Sequence, residues 1–160
     1  MGIAHNFPAA YLKTQLAIDY AMPDKGVAFL SVNDRDKRNL IPIARDIERL
    51  GYSIVATEGT ARALKAAGIT CEVTDKIYEG TSDILDRIAD SEIVLMINTP
   101  LGSVTRDDGY ELRAAAVRYG ITYVTTLAAA QALIAGMEVA SRSGLDVISL
   151  QELPSYGISA

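Results

Sequence analysis

Cysteine and histidine are nearly absent from this 160-residue chain, which has one of each. A lone Cys71 excludes an internal disulfide. In its strand-like stretch it reads as a small buried hydrophobe in a reducing compartment. The single histidine, His5, lies in the N-terminal arm, far in sequence from the strand ends. No cysteine–histidine pair, serine elbow or metal-ligand spacing is present, so no catalytic or metal site is expected. Positive charge is also scarce: 15 Lys and Arg against 20 Asp and Glu leave a net charge of −5, which argues against a nucleic-acid partner. No apolar run reaches the ~20 residues needed to cross a bilayer. The longest candidate, Leu127 to Met137, is broken by Gln131 and reads as a buried helix. The opening MGIAHNFPAAYLK lacks the basic region, apolar core and cleavage site of a secretory signal. A cytoplasmic protein with no membrane partner is expected.

What is present fits one globular domain. The composition, 49% hydrophobic and 22% charged, is average for a folded protein, and the length suffices for a core without disulfides or metals. Residues 7–22 have helical spacing, with Phe7, Ala10, Tyr11, Ala17, Ile18 and Ala21 along one stripe and Leu12, Leu16 and Tyr20 along another. A helix apolar on two sides is usually packed between two bodies. Pro23-Asp24-Lys25-Gly26 punctuates the chain, and strands and helices alternate from there.

The spacing predicts strands at Val27–Val32, Ser53–Ala56, Cys71–Val73, Ile93–Ile97 and Ile121–Val124, with a short last one at Val147–Leu150. It predicts helices at Asp36–Leu50, Glu58–Ala67, Ser82–Ala89, Gly109–Tyr119 and Leu127–Ala135. Gly51, Gly68 and Gly120 close three of them. Pro42 falls inside the first and predicts a kink, or a separate first turn. This alternation specifies an α/β fold: a three-layer α/β/α domain around a mostly parallel five-stranded sheet, preceded by an N-terminal helix.

In open parallel sheets ligands sit at the carboxyl ends of the strands. The residues that follow the strands here include Ser31 to Lys37, Thr57-Glu58-Gly59-Thr60, Thr74-Asp75-Lys76, Asn98-Thr99-Pro100-Leu101-Gly102 and Thr125-Thr126. Two lysines, several hydroxyls, an amide and helix N-termini are equipment for a phosphate. No Walker pattern or G-x-G-x-x-G accompanies them, so a nucleoside triphosphate or dinucleotide is not indicated. The bland reading is that Thr57, Thr60 and Thr125 are helix caps, and that Lys37 and Lys76 are solvated surface lysines. Asp75, Asp107 and Asp108 are the candidate bases, and loop aspartates more often serve turns.

The ordered segments GVAFLSVNDRDK, ATEGTARAL, DKIYEG, INTPLG, TYVTTLAAAQAL and VISLQEL resemble the methylglyoxal-synthase-like domain that ends bacterial carbamoyl-phosphate synthase large chains. The match runs in register from about Lys25 to Leu153. Ahead of it, MGIAHNFPAAYLKTQLA is similar to the helix that closes the second ATP-binding half of those synthases. The resemblance implies a fragment of a longer polypeptide. Residues 1–23 would be a helix of the preceding synthetase domain, 24–153 the effector-binding domain, and 154–160 a tail.

The resemblance also implies roles. Lys37, Thr57, Gly59, Thr60 and Lys76 would hold the phosphate of a nucleoside monophosphate. Asn98, Thr99 and Asp108 would line its sugar and base side, and Tyr123 and Thr125 would meet ornithine. Uridine monophosphate would inhibit and inosine monophosphate activate a synthase serving pyrimidine and arginine synthesis. The fragment itself would need no cofactor, while the parent uses ATP, Mg or Mn, and K. Partners would be the rest of the large chain, the glutaminase small chain, and a second copy through the N-terminal helix. Two departures stand out: Pro100 replaces a hydroxyl residue of some members, and Val124 an acidic one. The catalytic aspartate and histidine of true methylglyoxal synthases are missing from the Thr57-Glu58-Gly59-Thr60 turn and the residues after it. The competing expectation is an enzyme: a methylglyoxal synthase, or a deaminating or cyclising relative, acting on a small phosphorylated substrate.

Overall fold

A computed structural model describes residues 2–17, 25–74, 83–99, 106–147, 149, 151 and 152, leaving out the side chains of 106–109. The elements in order are α1 (Phe7–Leu16), β1 (Val27–Val32), α2 (Lys37–Arg49), β2 (Ser53–Thr57), α3 (Glu58–Ala66), β3 (Glu72–Thr74), α4 (Asp83–Ala89), β4 (Ile93–Thr99), α5 (Arg106–Tyr119), β5 (Thr122–Val124) and α6 (Leu127–Ser143). The strands form one sheet in the order β3-β2-β1-β4-β5, and every pairing is parallel. The order reverses direction between β1 and β4, which makes the carboxyl ends of those two strands the switch point.

Apolar residues on alternate strand positions divide the core in two. Ala28, Leu30, Val32, Ile54, Ala56, Leu95, Ile97 and Val124 face α2, α3 and α6, with Leu12 of α1 joining the same cluster. Phe29, Val55 and Met96 face α4 and α5, where they meet Ile84, Ile88, Leu112 and Ala116. The three-layer α/β/α arrangement expected from the sequence is therefore present, and the sheet is wholly parallel. None of the described helices is long and apolar enough to cross a membrane.

Local chemistry explains several boundaries. Helix α1 starts at Asn6, whose side-chain oxygen accepts the Ala9 amide at 2.9 Å, with Pro8 in the first turn. Helix α2 runs without interruption through Pro42, so its first turn is not separate. Pro42 is exposed, so the Arg38 carbonyl deprived of its partner faces water. Helix α5 ends at Gly120, whose φ of 66° lets the Ile121 amide reach back to Ala116 O at 2.8 Å.

Two expectations are corrected. Helix α6 runs on to Ser143, eight residues beyond the expected end at Ala135. Gly136 lies inside this longer helix, where α1 crosses: a Cβ would stand 2.5 Å from Pro8 O and 2.8 Å from Leu12 Cβ. The last strand at Val147–Leu150 is not formed at its described positions, Val147 and Ser149. Val147 is 99% exposed, and Ser149 hydrogen-bonds Glu152 instead.

Of the expected helix over 7–22, the described part ends at the cap residue Ala17, and Ile18 to Met22 lie outside the described residues. Its buried side is Ala9 and Leu12, packed on α6, while Phe7 and Leu16 remain exposed.

Candidate functional site

The strand ends carry a polar row across the sheet. Register pairs Thr57 with Thr74 and Ser31 with Asn98. Leu30 pairs with Ala56 and Ile97 with Val124, so Ser31 stands level with Thr57, and Thr125 follows in line with Asn98. Alternation puts Thr74, Thr57, Ser31 and Asn98 on the α4–α5 side, one position beyond the apolar residues of that layer. Strand interiors that are otherwise aliphatic thus end in hydroxyls and an amide, the groups that can meet a polar ligand without a permanent charge.

A cation joins this row over β1 and β2. Lys37, the first residue of α2, folds back so that its Nζ would stand 2.9 Å from a Cβ on Gly59. Gly59 leaves that space open at the start of α3. Thr57 occupies the N-cap position of α3, but its side chain does not cap the helix. Its hydroxyl lies 3.3 Å from Thr60 Oγ1 and 3.5 Å from Ser31 Oγ. Four of the five residues expected around a phosphate, Lys37, Thr57, Gly59 and Thr60, therefore converge. The fifth, Lys76, lies outside the described residues, as does Asp75. The Lys37 ammonium pairs with Asp34 Oδ1 at 2.5 Å.

Two expected contacts also serve the framework. Thr60 is 1% exposed, and its hydroxyl accepts the Val32 amide at 3.1 Å, linking α3 to the end of β1. Thr99 Oγ1 accepts both the Asn33 amide at 3.2 Å and Asn33 Nδ2 at 3.0 Å. Asn33 Nδ2 also donates to Asp36 Oδ2 at 2.6 Å, and Asn33 Oδ1 accepts the Arg35 amide. Asn33 thereby ties β1 to β4 across the switch point and shapes the turn that presents Lys37. The pattern Asn-x-x-Asp at a strand end was the signal for it.

On the β5 side, Asn98 is buried and donates from Nδ2 to the Tyr123 hydroxyl at 2.9 Å. Burial raises the Tyr123 phenol above its ordinary range, against the Asn98 hydrogen bond and the charge and hydrogen bond of Arg113, which lower it. Arg113, on α5, had no sequence signal, because its partner belongs to another element. Thr125 is exposed, and its neighbour Thr126 caps α6 by accepting the Ala129 amide at 3.2 Å. Thr125 itself is thus not the cap. Asp108 lies in the first turn of α5, and its side chain is outside the described residues, as is Pro100. The third strand delivers Thr74, which is buried and points to Asp83 Oδ2 of α4 at 3.5 Å.

The arrangement offers a cation lying against a glycine and a row of neutral donors and acceptors. Cys71 is buried, and its thiol is raised by that burial, which suits a packing role and not a nucleophile. His5 is exposed on the arm, before α1.

Comparison with known proteins agrees with this layout. The family model of the MGS-like domain matches residues 39–125. The chain is 46% identical over 154 residues to the "Carbamoyl phosphate synthase large chain, C-terminal section" of Methanopyrus kandleri, covering 96% of this chain and 28% of that protein. It is 39% identical over 158 residues to the section of the same description from Aquifex aeolicus, covering 96% and 29%. Against the carbamoyl phosphate synthase large chain of Corynebacterium glutamicum it is 44% identical over 159 residues, covering 96% and 14%. The chain thus spans less than a third of the length of these relatives. Among solved structures, methylglyoxal synthase from Elizabethkingia anophelis superposes with a TM-score of 0.57, over 83% of this chain and 92% of that one. At 13% identity this likeness speaks for the fold alone. The relatives bear out the resemblance to the C-terminal part of carbamoyl-phosphate synthase large chains, and the family match covers the ends of β2, β3, β4 and β5: the chain is a member of the MGS-like domain family.

Proposed function

We propose that the chain is the allosteric effector domain at the C-terminal end of a carbamoyl-phosphate synthase large chain, and that it binds a nucleoside monophosphate at the carboxyl ends of its strands. The observation that carries this reading is the convergence of the Lys37 ammonium on Gly59, beside the Thr57 hydroxyl, at the uncapped start of α3. A phosphate placed there meets a point charge, a neutral donor, and backbone N–H groups with the favourable end of a helix dipole. The polar row toward Asn98 supplies partners for a sugar and base. Uridine monophosphate as inhibitor and inosine monophosphate as activator are the proposed ligands.

The effect works by differential binding. A nucleotide shifts the synthase only as far as it binds two states of the whole enzyme unequally, and such couplings are typically ~1–3 kcal/mol. A few charge-assisted contacts supply that. The synthase joined to this domain would make carbamoyl phosphate from glutamine or ammonia, bicarbonate and two ATP, with a glutaminase small chain, for pyrimidine and arginine synthesis. Helix α1, with Phe7 and Leu16 facing outward, would be the junction with the preceding synthetase domain. Tyr123 and Thr125 would contribute to an ornithine site. With Asn98 and Arg113 both donating to the Tyr123 hydroxyl, its own proton is left for an acceptor, which suits the ligand's carboxylate better than its ammonium groups.

The test is calorimetric titration of the chain with uridine and inosine monophosphates. Charge-assisted hydrogen bonds are worth ~1.5–3 kcal/mol, so Lys37→Met should weaken binding ~10-fold to ~150-fold, with circular dichroism unchanged. Equal affinity in the variant would remove this site.

A further inference from the structure

We propose that Asp34 competes with the ligand's phosphate for Lys37 and so sets the affinity of the site. This inference rests on the phosphate-site reading given above. The Asp34 carboxylate lies 2.5 Å from Lys37 Nζ, three residues back in the turn that leads from β1 into α2. The two partners are unequally placed: the Lys37 side chain is 26% exposed, and that of Asp34 is 92% exposed. The lysine is the more enclosed partner, with its ammonium beside Gly59, and the carboxylate is the more exposed one.

A phosphate oxygen bonded to the same ammonium comes within about 5 Å of that carboxylate. Between a dianion and a carboxylate at this distance, Coulomb's law with the dielectric of water gives roughly a 15-fold penalty in affinity, and about 5-fold after physiological salt screening. Against this stands what the pair contributes by holding Lys37 in place. Exposed ion pairs are worth little, so this opposing effect amounts to about twofold. Competition outweighs positioning.

The other acid of this turn does not share the role, because the Asp36 carboxylate accepts Asn33 Nδ2 at 2.6 Å. Nor does Glu58, whose carboxylate pairs with Arg62 at 2.7 Å on α3. Among the described residues, Asp34 is the acid that pairs with Lys37.

Asp34→Asn keeps the size and most of the hydrogen bonding of the side chain and removes its charge. Titrated by calorimetry with uridine monophosphate and with inosine monophosphate, it should bind at least one of them about 2-fold to 8-fold more tightly than the unaltered chain. In a Lys37→Met background no shared ammonium holds the phosphate within about 5 Å of the exposed Asp34 carboxylate, so the same change should give less than half of that gain. Unchanged or weaker binding in Asp34→Asn, with binding still weakened in Lys37→Met, overturns the competition and leaves the phosphate site standing. A full gain in the Lys37→Met background also overturns it, since Asp34 would then act as general surface charge. If neither nucleotide binds the unaltered chain or Asp34→Asn, the site and the competition fall together.

Discussion

Replacing Gly136 with valine should detach the N-terminal arm from the rest of the fold. A Cβ at this position would come 2.5 Å from Pro8 O, 2.8 Å from Leu12 Cβ and 3.3 Å from Pro8 C, and the two Pro8 atoms are backbone that cannot swing aside as side-chain ends do. Helix propensity works the other way, since valine is better than glycine in a helix interior by about 0.3 kcal/mol. Overpacking a closed contact costs about 1–3 kcal/mol, so it decides the sign. There is also a ceiling. Once α1 lifts off, the loss cannot exceed what its contact contributes, chiefly the burial of Leu12 at 2% exposure and Ala9 at 6%. Burying one leucine is worth about 1.5–3 kcal/mol and a methyl group somewhat less than 1, so the net destabilisation should lie near 1–3 kcal/mol. Urea denaturation followed by circular dichroism measures it. Leu12→Ala made alone and in combination completes a cycle, and the two losses should fall short of adding, because either change already frees the arm. A Gly136→Val variant as stable as the unaltered chain, or more so, would refute the close crossing of α1 and α6.

Two further outcomes complete the set with the Lys37 and Asp34 variants. Thr60→Val should destabilise the fold by about 1–3 kcal/mol by leaving the buried Val32 amide without its acceptor, whereas Thr60→Ser should cost far less; thermal unfolding of the pair checks this. Tyr123, raised by burial, holds its proton in the folded state at a pH where the unfolded chain releases it. Its contribution is therefore full below the ordinary tyrosine range near pH 10 and declines as pH rises through the folded value. Tyr123→Phe should make stability fall less steeply above pH 10 and remove a late phenol from the ultraviolet titration, and an unchanged titration would contradict it.

Periodicity in the chain carries most of the fold. The alternation of apolar strands with amphipathic helices fixes an α/β sandwich, because each helix stripe needs a sheet face to cover it. Leu40, Ile43, Ala44 and Ile47 keep their spacing across Pro42, and the helix forms through it. The strand order is a different matter, since pairing β1 with β4 depends on contacts more than sixty residues apart. Gly136 shows how a local signal misleads. The glycine that usually ends a helix is here demanded by a backbone crossing that only the tertiary structure reveals.

The site was legible to a similar depth. Residue types after successive strands point to Lys37, Thr57, Gly59 and Thr60, and they meet. Their division of labour is not in the pattern: the Thr60 and Thr99 hydroxyls are drawn into framework bonds by Val32 and Asn33. Arg113 escapes sequence reasoning because a surface arginine on a helix looks like any other until Tyr123 is beside it.

Helix α6 has a further consequence. It begins at Thr126, next to the strand ends, and its axis rises about 1.5 Å per residue, so Gly136 lies about 14 Å from Leu127 along a single shaft. One end of that shaft lies next to the carboxyl end of β5, and its middle is gripped by the arm at Pro8 and Leu12. Arg49 of α2 pairs with Glu138 two residues farther on, so the shaft is also braced against the helix that begins with Lys37. A tilt of the shaft at its Thr126 end would therefore press or loosen the contact of Gly136 with Pro8 and Leu12, half-way along its length.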